Sequence, residues 1–472
     1  MVRPYLHGHS LWDSIPSVPE QYDFALVNGR VVLPGGVVER VNVGIRDGKI
    51  AALTDAAPDA EETLDVEGLT ILPGLVDEHF HVFHGYGWET YPNATRAAAK
   101  GGITTVVDMP LDNPPTLTAQ ALRDKLEAIG DECYIDYAAF GGYLESDPEE
   151  IASMAAAGAV AFKLFTGGVA PPGMYPGVTA GQMLDAMRRV KREERTVVVH
   201  AENAPIVDFE TGRLKAEGRT DVAAWDEARP WFSELEAVQR VSLLAEVTGC
   251  RTVIAHVTAP QSVVAVRAAR RRGADVWVET CPHYLCLTLE EMAGDSRLKW
   301  NPPSRDRASV DELWRLLRRG HVHTIGSDHA PLPKEPDADV WTQLPGAGNG
   351  LETMLSIVGT EALHRRDVGL GQLVDLLATT PARVFGLYPR KGTIRIGSDA
   401  DFAVVETAGR RILDAQDLEY HEQPKWSPFD GREVRVYPVY TLVRGRVIFA
   451  EGAVVGEPGF GELLARQAPV AA

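Results

Sequence analysis

ILPGLVDEHFH, residues 71–81, is an apolar run that closes on two histidines separated by a single phenylalanine. Seven more strand-sized apolar runs follow it: ITTVVDM (103–109), YIDYAAF (134–140), VAFKLF (160–165), TVVVHAE (196–202), TVIAHVT (252–258), ADVWVET (274–280) and HTIGSD (323–328). Between them lie segments whose apolar residues recur at intervals of three and four. LTAQALRDKLEAIG (117–130), TAGQMLDAMRRVKREE (179–194), SELEAVQRVSLLAEVTG (233–249) and APQSVVAVRAARRRG (259–273) are examples, and the spacing is that of amphipathic helices. Strands alternating with helices make a parallel sheet with crossover connections. Eight such units predict an α/β fold that closes into a (β/α)8 TIM-like barrel rather than an open sheet.

Outside this central part the pattern changes. DFALVNGRVVLPGGVVE (23–39), VNVGIRDGKIAAL (41–53) and TLDVEG (63–68) are short alternating runs divided by turn signals, and they read as hairpins. Near the other end, ADFAVVE (400–406) and YTLVRGRVIFAEGAVVGE (440–457) repeat the theme, with NGRVVLPGGVV and RGRVIFAEGAVV sharing their turn placement. The two ends are therefore expected to meet in one small β-sandwich. This divides the chain into an N-terminal extension (1–21), a sandwich from 22–70 plus 392–456, a barrel over 71–391 and a C-terminal tail (457–472).

Composition narrows the possible functions. The 472 residues are 45% hydrophobic and 24% charged, an ordinary globular balance, and no apolar stretch reaches the roughly 20 residues that span a bilayer. A formal charge of −19 repels phosphate backbones, and Arg270, Arg271 and Arg272 read as a solvated helix end, so nucleic acid is not an expected partner. Cys133, Cys250, Cys281 and Cys286 form no CxxC pair and are too few for a disulfide framework in a chain of this length. The opening MVRPYLHGHSLWDSIPSVPE lacks a signal-peptide apolar run. Together these features predict a soluble cytoplasmic protein with reduced thiols and no membrane partner.

Five of the eight strands carry a possible cation ligand at or near their carboxyl ends. These are His79 and His81 on the first, Lys163 on the fourth, His200 on the fifth, His256 on the sixth and Asp328 on the eighth. An isolated strand-end histidine is more often a hydrogen-bonded structural residue than a ligand. In a (β/α)8 barrel, however, every strand's carboxyl end faces one rim, where residues remote in sequence converge. His79 and His81 flank Phe80, so both imidazoles project to one side of an extended segment and can share a cation. His84 and His329 neighbour these positions without matching them, and His7 and His9 lie in the extension; none of the four is expected to be a ligand.

Lys163 sits in VAFKLF with apolar neighbours on both sides, a costly place for an ammonium group. It could snorkel to the rim or pair with Asp328. Alternatively, burial lowers the amine's pKa, and only the neutral amine reacts with carbon dioxide to form a carbamate. Such a group is a long carboxylate with one oxygen for each of two cations.

The whole set of motifs resembles the amidohydrolase superfamily, in the branch holding allantoinases, hydantoinases (dihydropyrimidinases) and dihydroorotases. The likeness runs from GRVVLPGG through LPGLVDEHFH, GGITTVVDMP, FKLF, VHAEN, AHVT, ETCPHYL, NPPSR and GSDHAP to SPFDGREV and VRGRVIF, nearly the full chain. The resemblance implies two divalent metal ions. His79, His81 and Asp328 would hold the more buried one, His200 and His256 the other, and carbamylated Lys163 (N6-carboxylysine) would bridge them. Zinc suits such imidazole and carboxylate ligands. It also implies a small cyclic amide as substrate and a homo-oligomer, tetramer or dimer.

Within that branch the residues discriminate. Dihydroorotases share GLETML and the Asn301 of WNPPSR, but their pattern grips a substrate carboxylate with an Arg, an Asn and a His where this chain has Phe83, Leu111 and Leu332. A site without polar anchors should bind a charged group poorly. Hydantoinases carry a Tyr where this chain has Gly168. Allantoinases are most similar in RAAAKGGITTVVDMPLDNPPT (96–116), in ETCPHYL with its His283, and in GWET (87–90), whereas NPPSR and TGGVAPPGMYPG (166–177) depart from them. The expectation is thus ring opening of allantoin to allantoate, then of a hydantoin or dihydropyrimidine, then of dihydroorotate.

His283 either caps the turn after TCP or faces substrate, and Asn301 and Asn113 either satisfy their own loops or read a cyclic ureide with their amides. Asp328 is the expected general base and acid. A catalytically inactive scaffold is the non-enzyme alternative; all six candidate ligands are present, which argues against it.

Overall fold

The computed structural model describes residues 21–36, 38–167, 173–292, 294–419 and 425–467. The N-terminal extension through residue 20, with His7 and His9, lies outside the described residues, as does Gly168.

Eight strands form one parallel sheet in sequence order: Leu75–Phe80, Ile103–Asp108, Asp136–Gly141, Ala161–Phe165, Thr196–His200, Thr252–Ile254, Val276–Thr280 and Thr324–Ile325. The first and last meet through a parallel bridge between Phe80 and His329 and a bond from the His81 N–H to the His329 carbonyl (3.1 Å), so the sheet nearly closes into a barrel. Asp77 reinforces the seam by accepting from both the backbone N–H (2.9 Å) and the hydroxyl of Ser327. Gly326 is needed there, since a Cβ would come within 2.7 Å of the His79 Cβ.

The period of two separates inside from outside. Val107, Ala138, Phe140, Ala161, Phe165, Val198 and Val253 fill the barrel, while Val106, Phe162, Leu164, Val197, Val199, Val276 and Val278 pack against the helices. Lys163 shares the face of Ala161 and Phe165 and therefore points inward.

The helical segments read from sequence form as helices Ala119–Ile129, Ala180–Arg192, Trp231–Thr248 and Pro260–Arg271. Local chemistry sets their ends. Thr179 and Gln182 build a reciprocal capping box, and Gly249 closes Trp231–Thr248 in the left-handed region at φ 64°.

ILPGLVDEHFH, read as one strand, is two. Thr70–Pro73 belongs to a second sheet, and the barrel strand starts at Leu75. The hinge is Gly74, where a Cβ would lie 2.2 Å from the Thr104 hydroxyl. The second sheet has seven strands and draws on both chain ends, pairing Thr70–Pro73 with Arg30–Val32 on one side and Phe402–Glu406 on the other. A four-stranded sheet from Tyr22–Val27, Asn42–Arg46, Lys49–Thr54 and Ala60–Asp65 faces it. Leu26, Val43, Ile45, Ile71, Phe402 and Leu442 form the core shared by the two sheets.

The described part of the C-terminal tail lies along the third barrel strand, with the Leu464 N–H bonded to the Tyr137 carbonyl (2.8 Å). Beneath it, buried Lys391 is held by Asp136, Asp399 (2.8 Å) and Asp401 (2.7 Å). Among the described residues, no helix is long and apolar enough to cross a membrane. All four cysteines are buried and free.

Candidate active site

The carboxyl ends of the barrel strands converge on a cleft with about 570 Å³ of empty space. All six ligand candidates, His79, His81, Lys163, His200, His256 and Asp328, line it. One donor atom each from His79, His81 and Asp328 fall within 4.8 Å of one another. The His79 and His81 Nε2 atoms stand 3.3 and 3.6 Å from the same Asp328 oxygen. The His200 ring centroid is 4.5 Å from that of His256, which is 5.4 Å from that of His79, so the second pair of imidazoles continues from the first. Irregular register in the first barrel strand accompanies this aim. Phe83, His256 and Asp328 adopt φ of 54°, 40° and 48°, a conformation that costs a non-glycine residue about 1–3 kcal/mol and that tends to collect at working sites.

These residues fit metal ions on three counts. First, burial holds three of the imidazoles neutral: it pulls His81 down to about 3 and lowers His200 and His256, leaving their lone pairs free at neutral pH. Second, outer partners fix ring orientation. His79 Nδ1 bonds Glu279 (2.6 Å), leaving Nε2 for the site, and His200 Nε2 bonds Glu202 (2.7 Å), leaving Nδ1. Third, Nδ1 of His256 is buried without a hydrogen-bond partner. Burial also lowers Lys163 from 10.5 to about 8 against the opposing charges of Glu279 and Asp328, which brings a neutral amine within reach near neutral pH. Asp328 is pushed up by burial, yet the imidazoles of His79 and His81 hold it below the usual carboxylate range.

Several supporting residues escaped the sequence reading. Glu279, inside the seventh strand, uses one oxygen to accept from both the His79 ring and the His256 backbone N–H (3.1 Å), tying two strands' ligands together. Glu202 pairs with buried Arg229 as well as His200. An acid in the apolar setting of VWVET carries the same signal as the lysine of VAFKLF and could have been found by it. Arg229, beyond the fifth strand, gives no such local sign.

The substrate candidates separate. Asn301 lines the cleft, and its Oδ1 is buried without a partner. His283 is buried beside Trp300, with ring centroids 5.0 Å apart and its Nε2 unpartnered. Asn113 is not brought in: it is exposed, it does not line the cleft, and its backbone N–H is spent on the His84 carbonyl (2.7 Å). Phe83, Leu111 and Leu332 do line the cleft, joined by Phe165 and Met174. His84 and His329 do not.

Residues 70–448 match the amidohydrolase family, far more than half of the chain. The chain belongs to that family. It is 35% identical to an L-hydantoinase of Paenarthrobacter aurescens over 457 residues, covering 94% of this chain and 98% of the relative. It is also 35% identical to an allantoinase of Escherichia coli over 435 residues, covering 91% and 95%. The solved structure of an L-hydantoinase (dihydropyrimidinase) from Arthrobacter aurescens superposes with a TM-score of 0.90 at 35% identity, covering 94% of this chain and all of that one. A D-hydantoinase (dihydropyrimidinase) from Thermus sp. gives 0.86 at 26% identity, covering 94% and 99%. These relatives place the chain in the cyclic amidohydrolase branch, and the equal identity to a hydantoinase and an allantoinase leaves the ring to be argued from the site.

Proposed function

We propose that this chain is a metal-dependent hydrolase that opens a neutral cyclic ureide, with a hydantoin bearing an apolar substituent as the preferred ring. The observation that carries it is the donor set of His79, His81, Lys163, His200, His256 and Asp328 at the base of a cleft whose walls are Phe83, Leu111, Phe165, Met174 and Leu332. His79, His81 and Asp328 would hold one divalent cation and His200 and His256 a second, with Lys163, carbamylated to N6-carboxylysine, between them. Zinc suits these nitrogen and oxygen donors. When bound, the two ions supply an acidified water at neutral pH and polarise the scissile carbonyl.

The chain's own residues do the rest. Asp328, beside both His79 and His81, accepts the proton of the attacking water and delivers it to the ring nitrogen as the carbon–oxygen bond forms and the carbon–nitrogen bond breaks. Asn301 accepts from a ring N–H with its unpartnered Oδ1, and the apolar walls exclude water from the reacting bond.

Allantoin is the second reading, favoured by the sequence agreement over residues 96–116 and at ETCPHYL. Its polar ureido arm would face Phe83, Leu111 and Leu332, and unpaired polar groups are costly to bury. A carboxylate substrate fits least.

The deciding assay is kcat/KM for allantoin, benzyl- or isobutyl-substituted hydantoins, dihydrouracil and dihydroorotate, on protein whose metal content has been measured. The apolar-substituted hydantoins are expected to lead. Allantoin in front selects the second reading, and dihydroorotate in front refutes the reasoning from the apolar walls.

A further inference from the structure

We propose that Cys281, His283 and Asp328 form a soft-cation site beside the catalytic centre, and that a thiophilic ion such as Cd²⁺ bound there switches the enzyme off. One donor atom from each of the three residues lies within 4.8 Å of the others, and all three side chains are buried. The fold brings them together because the seventh barrel strand ends at Thr280, Cys281 follows it as the N-cap of the short helix Pro282–Cys286, and His283 stands in that helix's first turn. Asp328 arrives from the eighth strand.

His283 Nε2 is buried with no hydrogen-bond partner, an orphan that calls for an explanation in a packed interior. A cation supplies one. The catalytic donor set is nitrogen and oxygen alone, whereas this one adds sulfur, and thiolate ligands select soft ions over Mg²⁺ or Ca²⁺. Binding releases the thiol proton to solvent, as coordination does for thiols generally. Asp328 belongs to both donor sets, so occupation of this site withdraws its carboxylate from proton transfer. The inhibition rests on the role proposed for Asp328; the binding does not.

The test titrates Cd²⁺ into fully metal-loaded protein, following the ultraviolet sulfur-to-cadmium charge-transfer band and turnover together, with metal analysis at each point. One further Cd²⁺ is expected to bind without release of the resident ions, raising the band as activity falls. Cys281→Ser, close in shape and a good N-cap, should keep basal turnover, lose the band and need about 10- to 100-fold more Cd²⁺ for inhibition. Cys281→Ala serves should the serine variant misfold, and Cys286→Ser should behave like the parent. A band that survives in Cys281→Ser overturns the site. Inhibition that tracks loss of resident metal, with no band, overturns it too. Because the band is read without turnover, failure of the ureide assignment would not be mistaken for failure of this site.

Discussion

Replacing Glu279 with Gln should separate metal binding from folding. One Glu279 oxygen receives both the His79 ring, at 2.6 Å, and the His256 backbone N–H, at 3.1 Å, so it positions ligands of both proposed cations. Glutamine preserves the oxygen and the shape but removes the charge, and charged hydrogen bonds are about twice as strong as neutral ones. Loss of such a supporting partner typically weakens metal affinity by about 10- to 100-fold, or about 1.4–2.8 kcal/mol at about 1.4 kcal/mol per tenfold. Folding of the metal-free protein should respond differently. Glu78 is fully buried with both carboxylate oxygens unpartnered, and burial together with the Glu279 charge drives its pKa up, so neutralising Glu279 removes a like-charge repulsion. Metal-free Glu279→Gln should therefore melt no lower than the metal-free parent, while the loaded variant melts lower and loses its ions to a chelator at lower concentration. Competition dialysis with elemental analysis, alongside calorimetry of both forms, reads this directly. Equal metal retention in parent and variant would refute the reasoning, as would a variant whose metal-free form is the more damaged of the two.

Asp328→Asn should give a folded protein with almost no turnover, because the proton carrier between water and ring nitrogen is gone; near-normal kcat would refute that role. Lys163 sits at about 8, so its reactive neutral form grows as pH rises through 8. Reactivation of metal-free protein by bicarbonate plus metal should accelerate over that range and then level off, with a mass increase of one carbon dioxide that Lys163→Ala lacks; a pH-independent rate would count against the carbamate. Asn301→Ala should lower kcat/KM by about 10- to 100-fold, the worth of about 1–3 kcal/mol for a buried hydrogen bond, with metal content unchanged. Lys391→Met leaves Asp136, Asp399 and Asp401 without their shared ammonium. Breaking a buried pair costs about 3–5 kcal/mol, to be seen as a lower unfolding midpoint with unchanged KM.

The barrel was legible because its strands announce themselves twice, by apolar runs of the right length and by a donor at the same end of five of them. His79, His81, Lys163, His200, His256 and Asp328 meet because the (β/α)8 topology gives all strands one rim, and that topology could be read from the alternation alone. Asn113 stands apart from the cleft-lining residues, exposed on a loop whose backbone N–H bonds His84, a fold-back that the sequence does not reveal. The break at Gly74 was hidden because the apolar run ILPGLV (71–76) continues across it, and only the close approach of Thr104 shows why the chain must turn there. Arg229 could not be found, since its contact with Glu202 depends on how the helices between the fifth and sixth strands pack.

Strand Thr70–Pro73 leaves the ribosome long before its neighbour Phe402–Glu406, with the whole barrel synthesised in between. At about 5–20 residues per second that interval is on the order of tens of seconds. Throughout it the nascent polypeptide presents the unpaired backbone edge of an apolar strand, a ready template for pairing with another chain. A lower growth temperature would lengthen the wait but weaken the apolar attraction, and a chaperone that shields extended segments should raise the soluble yield more than one acting on the finished barrel.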